Sequence, residues 1–130
     1  MASAVYPGLF VGDMADAKAA PPDFFILCVL ENRPPDEPPN ATHIPFLVNG
    51  KADMKQVGII LDVIDRQIQA NRQILVHCGA GIERSPLICT LYLHKRVGMP
   101  LDDAWKLVQQ KRPQAQDRRG WLQPSPQNAC

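Results

Sequence analysis

Two different periods order the apolar positions of this chain. Residues 23–30, Asp-Phe-Phe-Ile-Leu-Cys-Val-Leu, are apolar at every position after the first. A run of strand length with no alternation predicts a strand buried on both faces. Residues 73–77, Gln-Ile-Leu-Val-His, predict a second such strand. Between them the period changes: Val57, Ile60, Leu61, Ile64 and Ile68 fall at i, i+3, i+4, i+7 and i+11, one face of a helix over residues 54–70. Residues 85–96 are apolar almost all round, through Leu87, Ile88, Cys89, Leu91, Tyr92 and Leu93, as in a central helix packed on several sides. Gly98 stops it. A further helix starts at Pro100, carries Asp102 and Asp103 in its first turn and ends on Lys111 and Arg112 before Pro113, in agreement with the helix dipole. Leu101, Ala104, Trp105 and Val108 form its core stripe.

The remaining segments are short. Residues 4–13 hold two strand candidates around the Pro7-Gly8 turn, and Asp13 is placed to cap a helix reaching Ala19. Residues 42–48 predict one short strand, confined to an edge or an end by Pro45, with His43 near its start. Asn49-Gly50 predicts a turn, and Asp53 an N-cap. Strands alternating with helices, including a strand–loop–helix crossover, predict a single-domain α/β sandwich, residues 1–130, with a central, mostly parallel sheet flanked by helices. Residues 123–130 are expected to be a mobile tail.

Composition narrows the classes. The chain has 130 residues, 45% of them hydrophobic, and a formal net charge of +1: enough for one core, with no global signal for nucleic acid or a membrane surface. A signal-peptide pattern is absent from the first residues and no apolar run has the length of a membrane span. The four cysteines, Cys28, Cys78, Cys89 and Cys130, include no Cys-x2-Cys pair, so neither a structural zinc site nor another metal is expected. Cys28 and Cys89 lie in apolar patterns where cysteine acts as a small hydrophobe. A reduced, cytoplasmic monomer without cofactor follows. The thirteen prolines cluster between periodic segments and read as stiff loops, the polar residues 31–41 among them. Lys111, Arg112, Arg118 and Arg119 read as a solvated face.

The candidate chemistry sits between the second buried strand and the central helix. After His77 the sequence runs Cys78-Gly79-Ala80-Gly81-Ile82-Glu83-Arg84-Ser85. A loop of small residues can turn its backbone N–H groups inward as an anion nest, and the following helix adds its positive end. Gly79, Ala80, Gly81, Ile82, Glu83 and Arg84 are the candidate phosphate-binding residues. The planar fork of Arg84 can hold two phosphate oxygens. Cys78 opens the loop, where the field that attracts phosphate also favours thiolate over thiol. His77, whose side chain points away from that of Cys78 on the strand, is expected to hold the loop by hydrogen bonds.

His77-Cys78, five residues, then Arg84-Ser85 resembles the signature of the cysteine-dependent protein tyrosine phosphatase superfamily, and the flanks resemble its small dual-specificity branch. The opening stretch Tyr6-Pro7-Gly8-Leu9-Phe10-Val11-Gly12 and the late Gly120-Trp121-Leu122 extend the likeness toward both ends. The resemblance implies hydrolysis of phosphotyrosine or phosphoserine/threonine in a protein or peptide through a phosphocysteine on Cys78, with Arg84 stabilising the transition state. It implies that the Ser85 hydroxyl helps the Cys78 sulfur leave. Ser85 as the N-cap of the following helix is the alternative from capping preference alone.

The family takes the leaving-group proton from an upstream aspartate. With Ile44-Pro45 laid on the family's Ile-Pro step, that place falls on Val48. Two carboxylates are candidates instead. Asp53 is the nearest downstream one, with helix capping as its other reading. Glu83 lies inside the loop, where myotubularin-type phosphatases carry an aspartate. Its other reading is a rim residue that tunes substrate choice. Val48 also supports a second hypothesis, a phosphate-binding module with weak or vestigial activity. A rhodanese-like sulfurtransferase fits less well, its loop being shorter by a residue.

Overall fold

The computed structural model describes residues 1–122. The expected tail, residues 123–130, and with it Cys130, lies outside the described residues. The sheet is built from β1 (Ser3–Tyr6), β2 (Leu9–Gly12), β3 (Phe25–Cys28), β4 (Thr42–His43) and the later β7 (Ile74–His77). Its order is β1-β2-β7-β3-β4. Only β1 runs antiparallel to its neighbour; β2–β7, β7–β3 and β3–β4 are all parallel. The strand predicted at residues 73–77 is therefore central. Ile74, Leu75, Val76 and His77 are all buried, which is why that segment shows no polar alternation.

One predicted strand is divided. Residues 42–48 supply β4 to the main sheet, and then, beyond Pro45, β5 (Leu47–Val48) pairs with β6 (Lys51–Ala52) as a separate hairpin. Pro45 offers no ladder donor and forces the break. The hairpin turn is Asn49-Gly50, both at positive φ, 52° and 76°, as a two-residue turn with right-handed strand twist requires.

The helices are α1 (Met14–Ala19), α2 (Met54–Gln69), α3 (Arg84–Tyr92) and α4 (Leu101–Lys111). Asp13 and Asp16 form a reciprocal capping box on α1. Asp53 caps α2, its Oδ1 accepting from the N–H groups of Lys55 and Gln56. In α2 the buried positions are Val57, Ile60, Leu61 and Ile64, the stripe the period predicted. From Ser85 through Tyr92 every residue of α3 is buried, so this helix packs on all sides. The residues predicted to continue it form a single π turn, Leu93–Val97, closed by Gly98 at φ 93°. Cys28 and Cys89 are buried and unpaired, and burial pushes the Cys28 thiol up to about 11 and the Cys89 thiol higher still. Both are inert small hydrophobes in this environment.

The Asp53 cap is directly testable. Asp53→Ala is expected to lower unfolding free energy by about 1 kcal/mol in urea titrations, while Asp53→Asn, itself a good cap, retains most of it. Equal losses in both variants would mean that the aspartate charge acts through something other than capping.

Candidate active site

Strand β7 ends at His77, and α3 begins at Arg84. The intervening loop is held by hydrogen bonds to its carbonyl groups, and each one points a carbonyl away from the cup. The Cys78 carbonyl faces His77 Nδ1 at 3.1 Å. The Gly79 carbonyl accepts from the Met14 N–H at the start of α1, at 3.0 Å. The Gly81 carbonyl accepts from Arg112 Nε at 2.6 Å. The Ile82 carbonyl accepts from the Gln116 N–H at 2.7 Å. With four carbonyls occupied from outside, the N–H groups are left to line the inside, as an anion nest requires. Gly81 has φ 69°, and a Cβ there would lie 2.6 Å from both Arg112 Nη2 and the Gly12 carbonyl oxygen. No side chain fits at that position.

Two of the residues that hold this loop, one directly and one through His77, were placed on the surface by the sequence pattern. Arg112 was expected on a solvated face. It is 1% exposed. Besides Gly81 it donates through Nη1 to the Met1 and Val11 carbonyls and to Ser3 Oγ, and its Nη2 lies 3.9 Å from Asp16. An arginine at a helix end normally projects to water, so no local pattern marks it as buried. Glu37, in the proline-rich loop 31–41, is the other. It is buried, and its Oε1 lies 2.7 Å from His77 Nε2. A carbonyl only accepts, so the Cys78 carbonyl places a proton on His77 Nδ1. Nε2 and Glu37 then share a further proton, and the imidazole plane is fixed. His77 thus holds the loop, as expected, with a partner 40 residues earlier in the chain.

Cys28, Glu37 and His77 are also a group that could hold a metal ion, with donor atoms all within 4.8 Å of one another. Glu37 Oε2 has no hydrogen-bond partner. The existing His77–Glu37 hydrogen bond already takes Nε2 and Oε1, and the chemistry derived below uses none of the three as a metal ligand.

Cys78 lies at the bottom of the cup, 2% exposed. Its Sγ is 3.3 Å from Ser85 Oγ, and the same hydroxyl is 3.3 Å from the Gly12 carbonyl. Ser85 has one hydrogen to give, to Gly12 when the sulfur is a thiol and to Sγ when it is a thiolate. Ser85 is not the N-cap. Glu83 occupies that position, without a side-chain capping bond.

The mouth of the cup is charged. Arg84 makes a two-pronged ion pair with Glu31, Nε to Oε1 at 2.5 Å and Nη2 to Oε2 at 3.0 Å. This pairing holds the Glu31 carboxyl below its usual range and raises the Arg84 guanidinium. Glu83 pairs with Arg118 at 2.7 Å and lies 3.8 Å from Arg84. Trp121 stands between the two arginines, their guanidinium carbons 5.8 and 5.6 Å from its ring centroid. It also packs on the core. Asp53 is not drawn into this cluster: its two hydrogen bonds serve α2. Val48 is exposed on the β5–β6 hairpin.

Comparison with known proteins agrees with this geometry. The family model described as the catalytic domain of dual specificity phosphatases matches residues 34–123. Dual specificity protein phosphatase 1B of Arabidopsis thaliana is 31% identical, over 92% of this chain and 77% of its own length. Human dual specificity protein phosphatase 16 is 45% identical over 53 residues, 41% of this chain, and human dual specificity protein phosphatase 1 is 40% identical over 70 residues, 53% of this chain. The chain spans only 8% and 19% of those two human proteins. Among solved structures, a mouse dual specificity phosphatase complexed with zinc tungstate superposes with a TM-score of 0.78 at 24% identity, covering 92% of this chain and 80% of that one. DUSP15 superposes with a TM-score of 0.76 at 26% identity, covering 92% and 81%. With a buried cysteine and a helix-start arginine at the two ends of one loop, and a family match over most of its length, this chain belongs to the dual specificity phosphatase family.

Proposed function

We propose that the protein is a phosphoprotein phosphatase, acting on phosphotyrosine, phosphoserine or phosphothreonine through a phosphocysteine at Cys78. The observation that carries this reading is the loop itself: a buried sulfur in a loop whose carbonyls at four positions are held by donors from outside it, with an arginine at the helix start. An incoming phosphoryl group has its three peripheral oxygens held by the N–H groups of residues 79–84 and by Arg84. Its phosphorus then lies in line with Cys78 Sγ. The S–P bond forms as the bond to the leaving oxygen breaks, and the electron pair departs with that oxygen. Water next attacks phosphorus, inorganic phosphate leaves, and Cys78 departs as thiolate. The Ser85 hydroxyl, within reach of Sγ, donates to that thiolate and eases its departure.

Of the two acids considered from sequence, Asp53 is committed to capping α2, which favours its structural reading. Glu83 is paired with Arg118, which favours the rim reading: it screens the mouth and disfavours acidic residues beside the phosphorylated side chain. The alternative, a phosphate-binding module with weak turnover, draws on the same facts and on Val48. A protein substrate, a monomeric state and a cytoplasmic location remain part of this proposal. Among the described residues no helix is long and apolar enough to cross a membrane.

The phosphocysteine separates enzyme from binding module. Brief incubation with a radiolabelled phosphopeptide followed by acid quench is expected to leave label on the wild-type protein and none on Cys78→Ser, which should also lose all turnover. Label that survives Cys78→Ser sinks the proposal. Ser85→Ala should slow the second step, so that aryl phosphate hydrolysis shows a burst followed by turnover reduced by about tenfold or more, the range for a lost hydrogen bond to a charged group.

The outward carbonyls give a second prediction. Arg112→Met strips the donor from the Gly81 and Val11 carbonyls, and each orphaned acceptor costs about 1–3 kcal/mol. Weaker binding of inorganic phosphate and a lower urea midpoint are expected together, with partial recovery of both in Arg112→Lys. Unchanged phosphate affinity in Arg112→Met would show that the loop holds its shape without this arginine.

A further inference from the structure

The leaving oxygen needs a proton, and neither Asp53 nor Glu83 is free to bring one. A third carboxylate holds Arg84 itself. Glu31 follows β3 and joins the two edge atoms of Arg84, Nε and Nη2, with both of its oxygens. That fork is the one an arginine offers to a phosphate, since carboxylate and phosphate present the same pair of acceptor oxygens. In the ligand-free protein, Glu31 therefore occupies the arginine edge that substrate must claim.

We infer that Glu31 is the general acid of the proposed phosphatase: substrate phosphate displaces it from Arg84 and leaves its carboxyl group at the mouth of the cup, facing the leaving oxygen. The inference rests on the phosphatase reading and goes beyond it in naming the proton donor.

The position follows from the in-line geometry. Cys78 attacks from the buried floor, so the leaving oxygen must face the opposite way, toward solvent. Glu31 is on that side: its side chain is 42% exposed while contacting Arg84, whose own side chain is 25% exposed. The protonation state follows from the exchange of partners. In the empty cup the Arg84 hydrogen bonds hold Glu31 ionised. Once phosphate has taken that edge, Glu31 loses its counter-charge and gains an anion beside it. Both changes favour the neutral carboxylic acid. Glu83 has its closest ion pair with Arg118, whose guanidinium is not the fork that follows the loop, so phosphate on Arg84 takes no such partner from it.

The proton balance closes over the cycle. Protonated Glu31 gives its hydrogen to the leaving oxygen as the P–O bond breaks and becomes carboxylate. In the second step that carboxylate takes a proton from the attacking water as the new P–O bond forms and the S–P bond breaks. Glu31 returns protonated, and it re-pairs with Arg84 after inorganic phosphate departs and its proton is lost to solvent.

The test uses leaving groups of graded basicity, because an acid catalyst matters most for the poorest of them. Second-order rate constants are measured for 4-nitrophenyl phosphate, phenyl phosphate and a phosphoserine peptide with wild type, Glu31→Gln and Cys78→Ser. Glu31→Gln should cost little on 4-nitrophenyl phosphate and about a hundredfold or more on the other two, while inorganic phosphate binds it no more weakly than wild type. A loss equal across the series would make Glu31 only a holder of Arg84 and overturn the inference, as would undiminished activity. Activity retained by Cys78→Ser, or a wild type inert on all three, would overturn the phosphatase reading itself, whatever Glu31→Gln does.

Discussion

Everything at this site depends on the direction of four carbonyl groups. A peptide loop has as many acceptors as donors, and a phosphate is repelled by the acceptors. The chain resolves this by supplying an external donor to the carbonyls of Cys78, Gly79, Gly81 and Ile82. Those donors come from the adjoining strand, from the start of α1, from the end of α4 and from the segment after it. The sheet and both helix layers are thus arranged around one loop, and the parallel strand order β2-β7-β3 places that loop at the carboxyl end of its middle strand. Arg112 has a double part. It anchors Gly81, and it fixes β1 and β2 through Met1, Ser3 and Val11. A buried cation is costly to desolvate, and the hydrogen bonds of Arg112 to four acceptors, with Asp16 nearby, are what make it tolerable.

The charged mouth behaves differently from the floor. On the floor, the polar groups are buried and held by protein hydrogen bonds, Glu37 Oε2 excepted. At the mouth, Glu31, Arg84, Glu83, Arg118 and Trp121 form a chain of solvent-accessible contacts that exchange at low cost, because exposed ion pairs are worth little. A buried, hydrogen-bonded floor beneath an exposed rim lets phosphate enter without disturbing the amides that receive it.

Much of this was legible from the chain. The continuous apolar run at residues 73–77 and the stripe in α2 encode burial directly, because a two-sided strand and a one-sided helix leave different periods. The Cys78-to-Arg84 spacing encodes the cup. What stayed hidden was every partner brought in by tertiary contact. Arg112 follows a lysine at a helix end, where a basic residue is expected for the dipole whether it is buried or not. Glu37 sits among prolines in a segment that is polar throughout, so nothing local distinguishes the one acid that turns inward to His77. Glu31 lies beside the end of a buried strand, 53 residues from the arginine it binds. The split of residues 42–48 at Pro45 was half visible: proline marked the limit of the strand but not the second, separate hairpin beyond it.

Gly81 places a restriction on how such a protein can diversify. Its missing side chain is filled by Arg112 and by the Gly12 carbonyl, the same carbonyl that meets the Ser85 hydroxyl. Three positions far apart in the chain therefore form one unit that can change only together. Gly79 and Ala80, in contrast, are exposed on the lip of the same loop, and a Cβ on Gly79 would meet nothing within 4 Å. Drift toward new substrates has room at Gly79 and Ala80 and almost none at Gly81, so neighbouring residues of one loop separate a sterically fixed hinge from an adjustable face.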